Sequence, residues 1–206
     1  MEQKKKNGFT IIELLVVIAI MGLMATLLVI NFNSTKGRRN LTLAANELIT
    51  NVRKTQSYAL SARDVSPNLP AKYYVLQFDF STPDLYKVLA IDSNYSATPK
   101  TVETITLPAN VVLDQNLSSL VQPISGGTTT HPGCLQILFG LPYGRIYMVG
   151  SASSPCSNGF VNTAKDPAAM AALTNSKGTV YLRTNKGTVY TKITEVNGLS
   201  GTITSQ

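Results

Sequence analysis

The sequence predicts an α+β chain: a long N-terminal helix, membrane-spanning in its first half, packed on an antiparallel β-sheet domain. Three observations predict it. Residues 9–32 form an apolar run interrupted by one carboxylate, Glu13. From Leu41 onward apolar residues recur at helical spacing. Beyond Ser66 and Pro67, short β-branched and aromatic runs alternate with turn residues.

The first run is about 24 residues, or roughly 36 Å of helix, enough to span a bilayer. Leu41, Ala45, Leu48, Val52, Ala59 and Ala62 then mark one helical stripe, while Asn46, Asn51, Lys54 and Arg63 fall on other faces. One helix is therefore expected from Phe9 to about Ala62. Residues 31–37, with two asparagines and Gly37, are its weak region. Ser66, Pro67, Asn68 and Pro70 end it.

Strands are expected at 73–80, 85–91, 102–107 and 111–113. Residues 134–139 and 145–149 flank a Gly-Leu-Pro-Tyr-Gly turn and read as a hairpin. Residues 179–184 and 188–193 flank Asn185, Lys186 and Gly187 and read as a second one. Residues 150–178, rich in Ser, Ala, Gly and Asn, read as loop with a short helix at 167–173.

A length of 206 residues allows one membrane segment and one domain of ordinary size. Charged residues are 14% and the apolar fraction of 44% suffices for a core. The net charge of +7 permits an acidic partner such as nucleic acid without requiring one. Lysine and arginine counts leave the membrane orientation tied: Lys4, Lys5 and Lys6 precede the apolar run, and Lys36, Arg38 and Arg39 follow it.

No nucleophile elbow, phosphate loop or metal motif occurs, so neither an enzyme nor a cofactor is expected. His131 sits in a Gly- and Thr-rich loop and reads as a solvent-exposed residue. Asp79, Asp84 and Asp92 lack a calcium-loop pattern. The sequons at Asn94 and Asn116 are read as chance matches. Cys134 and Cys156, the only cysteines, both lie beside turn residues and are read as a disulfide, the alternative being two separate buried thiols. Its loop would contribute about 3 kcal/mol in the chain-entropy model.

An acid inside a membrane-length apolar run is expensive and marks function. Lys4, Lys5 and Lys6, then Gly8, Phe9 and Glu13, with the apolar run following at once, resemble the class III signal of type IV pilins and type II secretion pseudopilins. An ordinary signal is cut after its apolar region at a small-residue site, which this chain lacks beyond Ile30. The resemblance implies cleavage by a prepilin peptidase between Gly8 and Phe9 and methylation of the new amino group of Phe9. It also implies a cytoplasmic leader, inner-membrane insertion with the C-terminal domain outside, and assembly with other pilin or pseudopilin subunits. Glu13 would then face the amino group of a neighbour's Phe9. Removal of the leader takes away three lysines and Glu2, leaving a side-chain charge of +5. The implied organisation is a leader at 1–8, a transmembrane and assembly helix at 9–32, an amphipathic helical half at 33–65 and a β-rich domain at 66–206.

Residues 135–147 and 178–190 are similar to the paired hairpins of GspH/FimT-type minor pseudopilins, although the cysteine-containing segment between them is longer than that pattern. The implied role is a structural minor subunit of a type IV pilus or a type II secretion pseudopilus. Alternatives are a major pilin, a DNA-binding minor pilin for uptake, and a plain membrane-anchored module. For DNA, alternation places Tyr181 and Arg183 on one face of their strand, Tyr190 and Lys192 on one face of the partner, and Lys186 in the turn. Val180, Leu182, Val189 and Ile193 would face the core. Tyrosine beside cations suits stacking and phosphate contact, but an ordinary solvated sheet face has the same composition.

Overall fold

The computed structural model describes residues 10–61, 64–66, 69–95, 98–122, 128–141, 145–152, 155–156, 164, 173, 176–185, 191–197 and 203–205, with the side chains of 28–34, 191–195 and 203–205 among those outside the description. Gly8, Phe9, Lys186, Tyr190 and nearly all of the helix expected at 167–173 lie outside the described residues. The chain is α+β. It divides into two compact units, Met1–Lys36 and Gly37–Gln206.

Helix α1 runs Ile11–Leu60. Its backbone stays helical through residues 31–37, the expected weak region, because the asparagines and Gly37 lower propensity without removing any hydrogen bond. In the first unit, the described side chains from Thr10 to Leu27 are exposed on every face. Ile11 is 87% exposed and Leu27 61%.

In the second unit, α1 buries Leu41, Ala44, Ala45, Leu48, Val52 and Ala59. This is the stripe read from the sequence, with two differences. Ala44 joins it, and Ala62 lies outside the described residues. Asn51, expected on another face, is buried, because Tyr86 supplies the partner its amide needs: Asn51 Nδ2 donates to Tyr86 Oη at 2.8 Å.

Twelve strands follow among the described residues: β1 Asp64–Ser66, β2 Leu69–Asp79, β3 Leu85–Asp92, β4 Lys100–Thr106, β5 Val111–Leu113, β6 Ser119–Gln122, β7 Thr128–Thr130, β8 Cys134–Gly140, β9 Arg145–Ser151, β10 Lys177–Thr184, β11 Thr191–Asn197 and β12 Ile203–Ser205. The first sheet has the order β4-β3-β2-β8-β9, with β1 on β2. The second has the order β12-β11-β10-β6-β7, with β5 on β10. Every pairing is antiparallel. Both expected hairpins form, as β8–β9 and β10–β11.

The first sheet is covered on both faces. One face sends Tyr74, Leu76, Phe78, Ile137 and Phe139 into a core shared with α1 and with Val180 and Leu182 of the second sheet. The far face carries Tyr73, Val75, Leu89, Ile91, Leu138 and Tyr147, against which Ala164 and Leu173 pack. Strand β8 is buried along its whole length, which explains why every residue of it but Gln136 is apolar or glycine. The segment after β9, read as loop with a short helix at 167–173, thus contributes Ala164 and Leu173 as cover for the far face.

Glycine is required where the sheets approach. A Cβ at Gly150 would stand 2.7 Å from Leu120 Cδ2 and 3.3 Å from Pro132 Cβ, and one at Gly178 would stand 2.8 Å from Met148 Sδ. Pro132 is rigid and Leu120 is buried, so neither yields easily. Gly150→Ala is expected to lower the unfolding free energy by about 1–3 kcal/mol, measured by chemical denaturation. An unchanged midpoint would show that Leu120 repacks without cost.

Candidate functional site

The N-terminus of α1 is organised by Thr10 and Glu13. Thr10 precedes the first helical residue, and Glu13 stands in the first turn. The Thr10 backbone N–H and hydroxyl both donate to Glu13 Oε2, each at 2.9 Å. Glu13 N–H lies 3.4 Å from Thr10 Oγ1 and donates to Thr10 O at 3.1 Å. This is a capping box, Thr-x-x-Glu, in which the first-turn donors of the helix are met reciprocally. The carboxylate also lies at the positive end of the helix dipole. Within its own chain, Glu13 thus already has partners. The pattern was legible as Thr10-Ile11-Ile12-Glu13, but the sequence reading weighed only the acid in its apolar setting.

In the C-terminal hairpin, Tyr181 and Arg183 stand two residues apart on β10, and each has partners within the domain. Arg183 Nε lies 2.9 Å from Asp114 Oδ2, an ion pair without aligned hydrogen-bond geometry. Asp114 is buried, and its Oδ1 accepts the backbone N–H groups of Asn116 at 3.0 Å and Leu117 at 3.4 Å. Its own N–H donates to Tyr181 O at 2.9 Å, and Tyr181 N–H donates to Ser118 Oγ at 3.0 Å. Arg183 and half-buried Tyr181 thus belong to a connection between β10 and the segment after β5.

In the register of β10 and β11, Tyr181 pairs with Ile193, Leu182 with Lys192, and Arg183 with Thr191. The side chains of Thr191, Lys192 and Ile193 lie outside the described residues. Val180 and Leu182 are buried as expected. Lys186, Val189 and Tyr190 lie outside the described residues.

Cys134 and Cys156 form a disulfide, with their Cα atoms 5.2 Å apart. His131 is exposed, and its Nδ1 lies 2.9 Å from Ser118 O. Among the described residues, no group of three or more His, Cys, Asp or Glu could hold a metal ion. Among them also, no helix is long and apolar enough to cross a membrane. The apolar run of the sequence extends to Phe32, past Leu27, the last of its described side chains.

Residues 3–29 match the family model of the prokaryotic N-terminal methylation motif. That match supports a type IV pilin-like signal on a pilin or pseudopilin processed by prepilin peptidase, and it indicates a structural subunit. No curated protein and no solved structure matches the chain.

Proposed function

We propose that this chain is a minor pilin or pseudopilin of the GspH/FimT type. It is cleaved between Gly8 and Phe9, methylated at Phe9, and held in the inner membrane by residues 9–32 with its β-domain outside the cytoplasm. From there it enters a type IV pilus or type II secretion pseudopilus. The observation that carries this reading is the methylation motif at residues 3–29 running into a helix whose described apolar side chains are exposed on every face. Such a surface is stable only against lipid or other subunits. The pairing of both C-terminal hairpins supports the minor-subunit assignment.

In this reading Glu13 receives the amino group of a neighbouring subunit's Phe9. Both Thr10 bonds fall on Oε2, so Oε1 takes the ammonium without breaking the cap. A buried charge is tolerated when paired, and removing one partner costs about 3–5 kcal/mol. Glu13→Val is therefore expected to be cleaved and inserted normally while its incorporation into filaments falls by at least about tenfold, as 1.4 kcal/mol is tenfold in equilibrium. Immunoblots of leader removal and of sheared filaments measure the two steps separately. Normal incorporation would end the pairing argument, and an uncleaved parent chain would end the pilin reading.

A further inference from the structure

The far face of the first sheet carries a row that the filament reading does not use. Register places Asp79 of β2 and Ser151 of β9 directly opposite Cys134 of β8, on either side of it. The chain leaves β9 at Ser151 and returns to this row at Cys156. There the Cys156 backbone N–H donates to Asp79 Oδ2 at 2.9 Å, and Cys156 Sγ is bonded to Cys134 Sγ. The other oxygen, Asp79 Oδ1, accepts the N–H of Ser81 at 3.0 Å and its hydroxyl at 2.6 Å, which fixes the carboxylate's orientation. Residue 156 begins the stretch that includes Ala164 and Leu173, the residues packed on the far-face cluster.

We infer that Asp79 is a clamp that seats Cys156 beside Cys134 before the sulfurs join, so that a carboxylate–amide bond, as well as oxidation, holds Cys156 in place. A contact made only when Cys156 is seated favours the seated state, and by linkage it favours the disulfide by the same factor, because only a seated Cys156 has its sulfur within bonding reach of Cys134. A carboxylate accepting a backbone N–H makes one of the stronger protein hydrogen bonds. With glutathione disulfide as oxidant, the two cysteine thiols form the Cys134–Cys156 bond, and two glutathione thiols are released. Asp79 takes no electrons and acts by position alone.

The test equilibrates the detergent-solubilised full chain with mixtures of reduced and oxidised glutathione, traps free thiols and weighs the products. Asp79→Asn keeps one acceptor oxygen for the Ser81 turn but turns an amide N–H₂ toward the Cys156 N–H. It is expected to lower the disulfide equilibrium constant on the order of tenfold. Ser81→Ala, which removes only the hydroxyl bond to Oδ1, should stay within about twofold of the parent. A constant for Asp79→Asn within twofold of the parent overturns the proposal. So does an equal loss in Ser81→Ala, which would assign the effect to the turn. A second measurement covers misfolding of Asp79→Asn. In Cys134→Ser/Cys156→Ser, which cannot form the bond, the amide hydrogen at position 156 should exchange at least about tenfold more slowly than an open amide. Exchange at the open-chain rate overturns the clamp.

Discussion

Leu48→Ala is expected to lower the unfolding free energy of the β-domain by about 2–5 kcal/mol, among the largest losses a single aliphatic truncation causes here. Leu48 has no exposure and lies in the cluster that joins α1 to both sheets. Its neighbours on the stripe, Ala44, Ala45 and Ala59, are small, so the helix lies close to the strands. Close approach leaves little room for the surroundings to collapse into the vacated volume, and the cavity adds to the lost transfer free energy. Leu43 lies on the same helix but is 60% exposed. Leu43→Ala should therefore change stability by no more than about 0.5 kcal/mol. Urea denaturation of both variants, with slopes unchanged and midpoints compared, decides the matter. Equal midpoint shifts would mean that the helix does not pack as described.

The same stripe shows what the sequence could reveal. Leu41, Ala45, Leu48, Val52 and Ala59 repeat at a period that only a helix on one apolar surface explains, and all are buried. The two hairpins were legible for a similar reason, since their strands are long and their turns carry glycine or asparagine. Strands β1, β7 and β12 were not, because Asp-Val-Ser, Thr-Thr-Thr and Ile-Thr-Ser lack the apolar run Val-Val-Leu that marks the equally short β5, and they are held by their neighbours in the ladder. Asp79 and Cys156 are 77 residues apart in sequence, so their bond follows from the β2–β8 register and the path beyond β9. Asn51 stands off the apolar stripe by helical spacing, and spacing does not show where a second polar group is buried within reach.

That buried pair makes the alkaline limit of the fold predictable. Burial, foremost, pushes the Tyr86 hydroxyl from 10.0 up to about 12; Glu47 and Glu103 add to the rise, and the bond from Asn51 opposes it. The fold therefore favours the neutral phenol. Its contribution is complete below pH 10, where both folded and unfolded chains are protonated, and is lost as pH rises through 10 toward 12, where the unfolded chain ionises first. The loss amounts to roughly 2–3 kcal/mol at 1.36 kcal/mol per unit. Tyr86→Phe removes this ionisation. At neutral pH it should cost about 1–3 kcal/mol, because the Asn51 amide keeps its burial and loses its acceptor. Tyr86 is 1% exposed and Asn51 7%, so water cannot readily replace the missing partner. Adding Asn51→Leu to Tyr86→Phe should recover much of that cost, since exchanging both partners for apolar groups leaves nothing unsatisfied. Between pH 9 and pH 12, the parent should lose stability more steeply than Tyr86→Phe by the same 2–3 kcal/mol, roughly. Tyr73, also raised to about 12, titrates in both chains and cancels from the difference. Parallel losses in the two chains would show that Tyr86 ionises as readily folded as unfolded, and the helix would then owe its seat on β3 to shape alone.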